Sequence, residues 1–345
     1  MTTRRVSSID VARRAGVSQS AVSRTFSQRG VVSAETRAKV LAAARDLGYT
    51  PNALARSLIT NRTNIVGVVM ADMTNPFYPT VLEELARQLG GVGLQVLLLA
   101  PPPERDSDDV LPLLLQYRVD AVIVASASIS SAMVGTLAAR GTPVVLFNRH
   151  VPGVAVSAVL CDNVEGGRLV ANLLLDGGHR RVGFIAGKPD TSTSIDREKG
   201  FGDRLRERGV FAWGREQGVY TYQSGYEAAL QLLDRADRPS AIFCANDIMA
   251  LGALDAARSI AGLRVPQDVS VIGFDDIPSA AWPAYRLTTI RQPVEQMVAA
   301  TLGIVTGLLE RGDAEPTVKL LPGSLIRRES AVLAQPEIVP PHPSI

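Results

Sequence analysis

From residue 65 onward the chain alternates short apolar runs with amphipathic stretches, and few folds accept that pattern. The runs at 65–70, 96–99, 121–124 and 144–147 are too short for buried helices, so they predict buried strands. Helical spacing lies between and after them at 79–89, 108–117 and 131–139. Beyond residue 160 the series repeats, with strands predicted at 182–186, 241–245 and 269–274 and helices at 164–175, 197–208, 226–235 and 248–261. Strands that alternate with helices form parallel sheets flanked by those helices. Two such series predict two similar α/β subdomains, with ligand sites where strand ends face a cleft.

The head of the chain has a different character. Residues Ser8 to Phe26 read as two short helices around a tight turn at Gly16-Val17-Ser18. Gly16 suits the left-handed conformation that ends a helix, and Ser18 suits an N-cap. On a helix at ~100° per residue, Ala21, Val22, Thr25 and Phe26 share one side. Gln19, Ser20, Ser23, Arg24 and Ser27 share the other, a stripe of hydrogen-bonding groups suited to the base edges of a DNA major groove. An ordinary amphipathic surface helix explains the same spacing. A third helix is predicted from Ser33 as cap, through an apolar face of Val40, Leu41, Ala44 and Leu47, to Gly48. Thr50 and Pro51 then open a helix of about two turns, too short to be stable in water without support. It reads as a hinge, followed by a polar link at 61–64.

Charge separates head from body. Residues 1–62 hold eleven Lys or Arg against three acids, a surplus of eight, while the remainder carries an excess of six acids. A basic head on a mildly acidic body is the asymmetry of a nucleic-acid binder. Two cysteines, Cys161 and Cys244, make no disulfide framework, which points to a reducing cytoplasm. No metal-ligand cluster or cofactor motif occurs, and His150, His179 and His342 are far apart. The uncharged stretch 121–139 contains six Ser, Thr or Gly, so it reads as a strand end and a helix cap rather than a membrane span. A basic N-terminus without an apolar segment behind it argues against a secretion signal and a secreted solute-binding protein. An α/β enzyme is disfavoured by the lack of a P-loop, a dinucleotide glycine fingerprint or a G-x-S-x-G elbow. Gly90-Gly91-Val92-Gly93 precedes a strand, the wrong context for phosphate binding.

The ordered motifs carry a resemblance. D-V-A-R-R-A-G-V-S-Q-S-A-V-S-R at 10–24 resembles the headpiece of the lactose/galactose repressor (LacI-type) family. In the family's order and spacing follow V-S-A-E-T-R-A-K-V at 32–40, L-G-Y-T-P-N-A-L-A-R-S-L at 47–58, N-I-V-G-V-V at 64–69 and D-M-T-N-P-F-Y at 72–78. A-N-D-I-M-A-L-G-A at 245–253, V-S-V-I-G-F-D-D at 269–276 and L-T-T-I-R-Q-P at 287–293 complete the series, which covers residues 8–330. One departure is Ser8, where the family commonly has an aliphatic residue; Ile9 directly precedes Asp10 instead.

The resemblance implies a multidomain chain. A three-helix helix-turn-helix headpiece (1–48) and a hinge helix with linker (49–62) precede a periplasmic-binding-protein-like α/β core of two Rossmann-like subdomains. These would comprise 63–161 plus 291–322 and 162–290 plus 323–334, with crossovers near 161–163, 289–292 and 322–325 and a disordered tail at 335–345. It also implies a non-enzymatic, cytoplasmic, allosteric repressor without cofactor. Its partners would be a palindromic operator in double-stranded DNA, a second copy of the chain (as homodimer or tetramer) and a small-molecule effector. A sugar or sugar derivative is the effector implied, with purines known in the same fold.

Residue by residue, Gln19, Ser20 and Arg24 match base-reading positions. Ser18, Ser23, Ser33 and Asn52 match phosphate contacts. Leu58 matches a leucine wedged into the minor groove, with Ala55 and Arg56 on the same helix. Arg197, Asn246 and Asp275 match one wall of the effector cleft; Asp72, Asn75 and Phe77 match the other. Asn148 and Trp282 are further candidates. Asp72 and Asn75 could instead cap the helix after Pro76, Asn75 equally so, and Trp282 could equally be core.

Overall fold

The computed structural model describes residues 6–26, 31–50, 62–101, 107–125, 129–151, 153–312 and 315–332. The predicted hinge helix with Asn52, Ala55, Arg56 and Leu58, and the tail at 335–345, lie outside the described residues. The chain divides into two compact units, Met1–Thr63 and Asn64–Ile345.

The first unit packs α1 (Ser8–Ala15), α2 (Gln19–Thr25) and α3 (Ala34–Leu47) around Val11, Ala12, Val22, Val40, Ala43 and Ala44. Ser7 and Asp10 close a reciprocal capping box at the start of α1, which Gly16 ends at φ 68°. Ser18 caps α2 through the Ala21 N–H; Ser33 caps α3, and Gly48 ends it at φ 62°. Ser8 accepts a hydrogen bond from Gln19 Nε2, while Ile9 is exposed. Leu41, expected on the buried face of α3, is exposed, and Ala43 is buried instead, because at ~100° per residue Leu41 points well away from the line of Val40, Ala44 and Leu47.

The second unit holds two six-stranded sheets. In chain order its elements are β1 (Ile65–Met70), α4 (Phe77–Gly91), β2 (Gln95–Leu99), α5 (Ser107–Gln116), β3 (Ala121–Ala125), α6 (Ser131–Ala138), β4 (Val144–Phe147) and β5 (Ser157–Cys161). The second half runs α7 (Asn163–Asp176), β6 (Val182–Ala186), α8 (Ser192–Glu207), β7 (Gly214–Gln217), α9 (Tyr222–Leu233), β8 (Ala241–Cys244), α10 (Asp247–Asp255) and β9 (Ser270–Asp275). β10 (Thr288–Arg291), α11 (Val294–Arg311), β11 (Val318–Leu321) and β12 (Ser324–Ile326) complete it.

The first sheet has strand order β11-β5-β4-β3-β1-β2 and is parallel throughout. The second has order β12-β10-β9-β8-β6-β7, with only β12 antiparallel. The chain therefore passes between sheets three times: from β5 to α7, from β10 to α11 and from β11 to β12. Arg291 still pairs within the second sheet, one residue beyond the expected crossing. Helices α4 and α11 cover one face of the first sheet; Leu114 of α5 and Leu137 of α6 join the apolar cluster on the other.

In the second sheet Phe184 and Phe243 pack with Phe201 of α8 at ring-centroid distances of 5.8 and 5.2 Å. Here α7 and α8 cross without side chains between them. A Cβ on Gly200 would stand 1.9 Å from the Val164 carbonyl oxygen, and one on Gly167 would stand 2.3 Å from that of Arg197. Only glycine permits that approach, and it fixes the middle of α8 against the first turns of α7.

Candidate functional site

Two separate surfaces gather the residues singled out above. On α2, Ala21, Val22 and Thr25 are buried, whereas Gln19, Ser20, Ser23 and Arg24 are exposed. The stripe is ordered from within. Ser18 and Ser20 hydroxyls lie 2.9 Å apart, and Arg24 Nε donates to the Ser20 carbonyl at 3.3 Å. The remaining guanidinium donors keep a planar fork that matches guanine O6 and N7. Ser33 spends its hydroxyl on the cap of α3 and on Thr36.

The second surface is a cavity between the two subdomains. Parallel strands deliver their C-terminal ends to one side of a sheet, and the loops after β1, β4 and β8 with the last residue of β9 bring Asp72, Asn75, Asn148, Asn246 and Asp275 together there. Phe77 joins from the first turn of α4 and Arg197 from α8. Seven of the eight cleft candidates thus share one cavity. Trp282 does not: it follows a short 3₁₀ turn (Pro278–Ala281), is 58% exposed, and is neither cleft nor core. Its backbone N–H is tied to the Ser279 carbonyl, an extended exit that carries the indole outward. Tyr78, Arg149, Thr193 and Tyr220 also line the cavity, without any expectation from sequence.

Arg197 is the anchor. It is 2% exposed, donates from Nε to Asn163 Oδ1 at 2.8 Å and from Nη1 to the Ala245 carbonyl, and lies 3.4 Å from Asp275 Oδ1. Its guanidinium carbon stands 3.7 Å over the Phe274 ring. With these donors engaged inside the protein, Arg197 holds the wall of the cavity more than it offers a free fork. Asp275 also accepts from Gln292 Nε2 at 2.7 Å, which ties the cavity to the second crossover. Burial pushes the Asp275 carboxyl up, while Arg197, Gln292 and the Asn75 amide pull it down.

Asn75 Oδ1 accepts the Phe77 N–H at the start of α4, and the Asn75 side chain lines the cavity. Asp72 Oδ1 accepts from Thr74 and from the Asn75 N–H. Asn246 caps α10 through Oδ1, which leaves Nδ2 as a buried donor without a protein acceptor. Asn148 reaches Tyr78 through Nδ2 at 3.5 Å, and its Oδ1 is a buried acceptor without a donor. Leaving such groups unpaired costs about 1–3 kcal/mol each, so they mark where a polar ligand belongs. Asn148, Tyr220 and Asp275 moreover hold positive φ of 66°, 67° and 122°, backbone strain of the kind that collects at ligand sites. The free space left is about 10 Å³. Ligand pockets usually exceed ~300 Å³, so entry requires the subdomains to part.

Behind the cavity lies a second carboxyl. Asp247 is fully buried, accepts from Thr289 Oγ1 and the Ile277 N–H, and faces Asp275 and Asp276. Burial first, then the Asp275 charge, push it far above the ordinary carboxylate range. The native state therefore holds this proton more tightly than the unfolded chain does. Between the two pKa values the stability it contributes falls as pH rises, by at most about 1.4 kcal/mol per pH unit. Asp247→Asn is expected to flatten that slope in urea denaturations run from pH 5 to pH 8. An unchanged slope would show that Asp247 is ionised throughout.

Among the described residues no cluster of three or more His, Cys, Asp or Glu could hold a metal, and no helix is long and apolar enough to cross a membrane.

Comparison with known proteins gives a consistent result. A family model described as bacterial regulatory proteins, lacI family, matches residues 9–52, and a periplasmic binding protein-like domain matches residues 171–331. The HTH-type transcriptional regulator AscG of Escherichia coli (strain K12) is 33% identical over 330 residues, 94% of this chain and 98% of that protein. The HTH-type transcriptional repressor PurR of Yersinia enterocolitica is 34% identical over 330 residues, covering 93% and 96%. The lac repressor dimer bound to operator and the anti-inducer ONPF superposes with a TM-score of 0.85 at 27% identity, over 96% of this chain and all of that one. The complex of the transcriptional regulator CelR with cellobiose gives 0.71 at 32% identity, over 95% and 100%.

Proposed function

Because this chain belongs to the lacI family of bacterial regulatory proteins, we propose that it is a sequence-specific repressor whose grip on its operator is set by a small molecule in the cavity between its two subdomains. The observation that carries this reading is the convergence of Asp72, Asn75, Phe77 and Asn148 from one subdomain on Arg197, Asn246 and Asp275 from the other. Charged side chains of both signs line the cavity, Arg149 and Arg197 with Asp72 and Asp275, and Asn148 Oδ1 and Asn246 Nδ2 are among its buried polar atoms without a protein partner, which suits a polyhydroxylated ligand. A sugar is the effector class we favour; CelR, a relative, is known with cellobiose bound.

In this reading Gln19, Ser20 and Arg24 read bases, and Ser18, Ser23, Ser33 and Asn52 hold phosphates. Leu58, flanked by Ala55 and Arg56, enters the minor groove at the centre of a palindrome bound by a homodimer. The closing lobes are 64–161 with 292–322 and 162–291 with 323–334. The protein works in the cytoplasm and without catalysis.

Effector closes or reorients the lobes, and by linkage operator changes effector affinity by the same factor. Calorimetric titration of a panel of sugars with and without operator tests this; identical affinities in both would defeat it. Arg24→Ala is expected to cost about 1–3 kcal/mol of operator affinity and to relax preference at one base pair, measured by binding to a randomised half-site. A uniform loss across all sequences would instead make Arg24 a phosphate contact.

A further inference from the structure

We propose that the protein has a second small-molecule site, for an amphiphilic primary amine, on the outer end of the first sheet where it meets α7 and α8. The face of that sheet served by α5 and α6 runs on to β5 and β11, where Val151, Val154 and Val156 form a roof in place of a helix. Beneath them is a cavity of about 400 Å³, within the range of pockets that hold small molecules. Leu146, Ala158, Leu160, Val318 and Leu320 form its floor. Val318 and Leu320 are 58% and 59% exposed, unusual for apolar side chains that alternate onto one face of a strand.

One end of the cavity is acidic. Asp162 and Asp196 stand there, with Asp162 already accepting the Glu165 N–H as the cap of α7. Asp196 is different. Among the described residues the basic side chain within ion-pair range of it is the His150 imidazole, with Nδ1 3.9 Å from Oδ2, beyond hydrogen-bond reach. Arg197, its neighbour in sequence, turns into the protein toward Asn163, Ala245 and Asp275. Asp196 is thus a half-buried carboxylate, its side chain 26% exposed, at the end of an apolar trough, and an ammonium group would give it charge-assisted donors there. Burial lifts its carboxyl and His150 lowers it, which agrees with incomplete compensation. An alkyl or aryl body on the floor and an ammonium at Asp196 satisfy both ends of the site.

The cavity shares no lining residue with the effector cavity. Its floor belongs to the first subdomain and Asp196 to the second, so an amine bound there favours the arrangement in which the two meet.

Calorimetric titration of the full chain with 2-phenylethylamine, and with 2-phenylethanol as its uncharged counterpart, tests the assignment. The amine is expected to bind saturably and about tenfold or more tighter than the alcohol, the value of a charge-assisted hydrogen bond. Asp196→Asn should bring the two ligands to similar affinity, and Leu320→Glu, at an exposed position, should weaken both. Equal binding of amine and alcohol, or an amine preference that survives Asp196→Asn, overturns the proposal. So does the absence of saturable binding. Self-association that Leu320→Glu disperses, with no amine bound, would assign the trough to a second copy of the chain and overturn it as well.

Discussion

Arg197→Met is expected to remove the response to effector and to lower the stability of the two-lobed unit by about 3–5 kcal/mol. Methionine replaces most of the volume over Phe274 but leaves Asp275 buried, with only amide donors from Gln292 and Asn75 beside it. The Asn163 Oδ1 and the Ala245 carbonyl lose their donor at the same time. The loss should shrink at low pH, because a carboxyl already raised by burial rises further without its arginine and is then neutral when buried. In sign, a raised carboxyl contributes stability that declines as pH climbs toward its folded value. The loss measured by urea denaturation should therefore be larger at pH 8 than at pH 5. Adding Asp275→Asn removes the stranded charge and should restore much of the stability without restoring the response. A double variant no more stable than Arg197→Met alone would show that the charge was never the cause.

Gly200→Ala is expected to be nearly as damaging, for a steric reason. Its Cβ would stand 1.9 Å from the Val164 carbonyl oxygen and 2.7 Å from the carbonyl carbon, both backbone atoms that no rotamer change can move. Overpacking usually costs about 1–3 kcal/mol, and a backbone collision belongs at or above the top of that range. Helix α8 would have to shift away from α7, carrying Thr193 and Arg197 with it, so effector binding should fall along with thermal stability. Gly303→Ala in α11 is the control, since a Cβ there meets nothing within 4 Å. Better helix propensity should leave that variant unchanged or more stable by about 0.5–1 kcal/mol. Equal melting temperatures for the two alanine variants would refute the close crossing of α7 and α8.

How far the sequence could be read depended on burial. Strands β1, β4 and β6 are runs of buried apolar residues, and their limits coincide with those read from hydropathy. Strand β7, Gly-Arg-Glu-Gln, has no apolar run because it is an outer strand with alternate residues exposed. β11 and β12 are outer strands too, and they owe their existence to sheet partners far away in sequence. Helix α11 is another matter. Met297, Val298, Thr301 and Val305 lie on its buried side at helical spacing, so the signal was present and went unread.

The headpiece was legible almost to the residue, because Gly16, Ser18, Ser33 and Gly48 are local stop and start signals that need no tertiary contact. The cleft was legible where motifs carried it. Tyr78 closes the D-M-T-N-P-F-Y motif but was not singled out from it, whereas Arg149, Thr193 and Tyr220 belong to no motif and reach the cavity through the meeting of two lobes. Trp282 stands outside this cavity because aromatic character says nothing of direction, and direction is set by the turn before it.

The threefold passage of the chain between its sheets bears on how the protein is made. A ribosome extends the polypeptide from the N-terminus, and the first lobe stays without its longest helix and its outermost strand until Leu321 has been added. Most of the second lobe has been synthesised by then. Neither lobe can mature as an independent nascent module, and a message truncated near codon 290 yields two unfinished halves instead of one finished one.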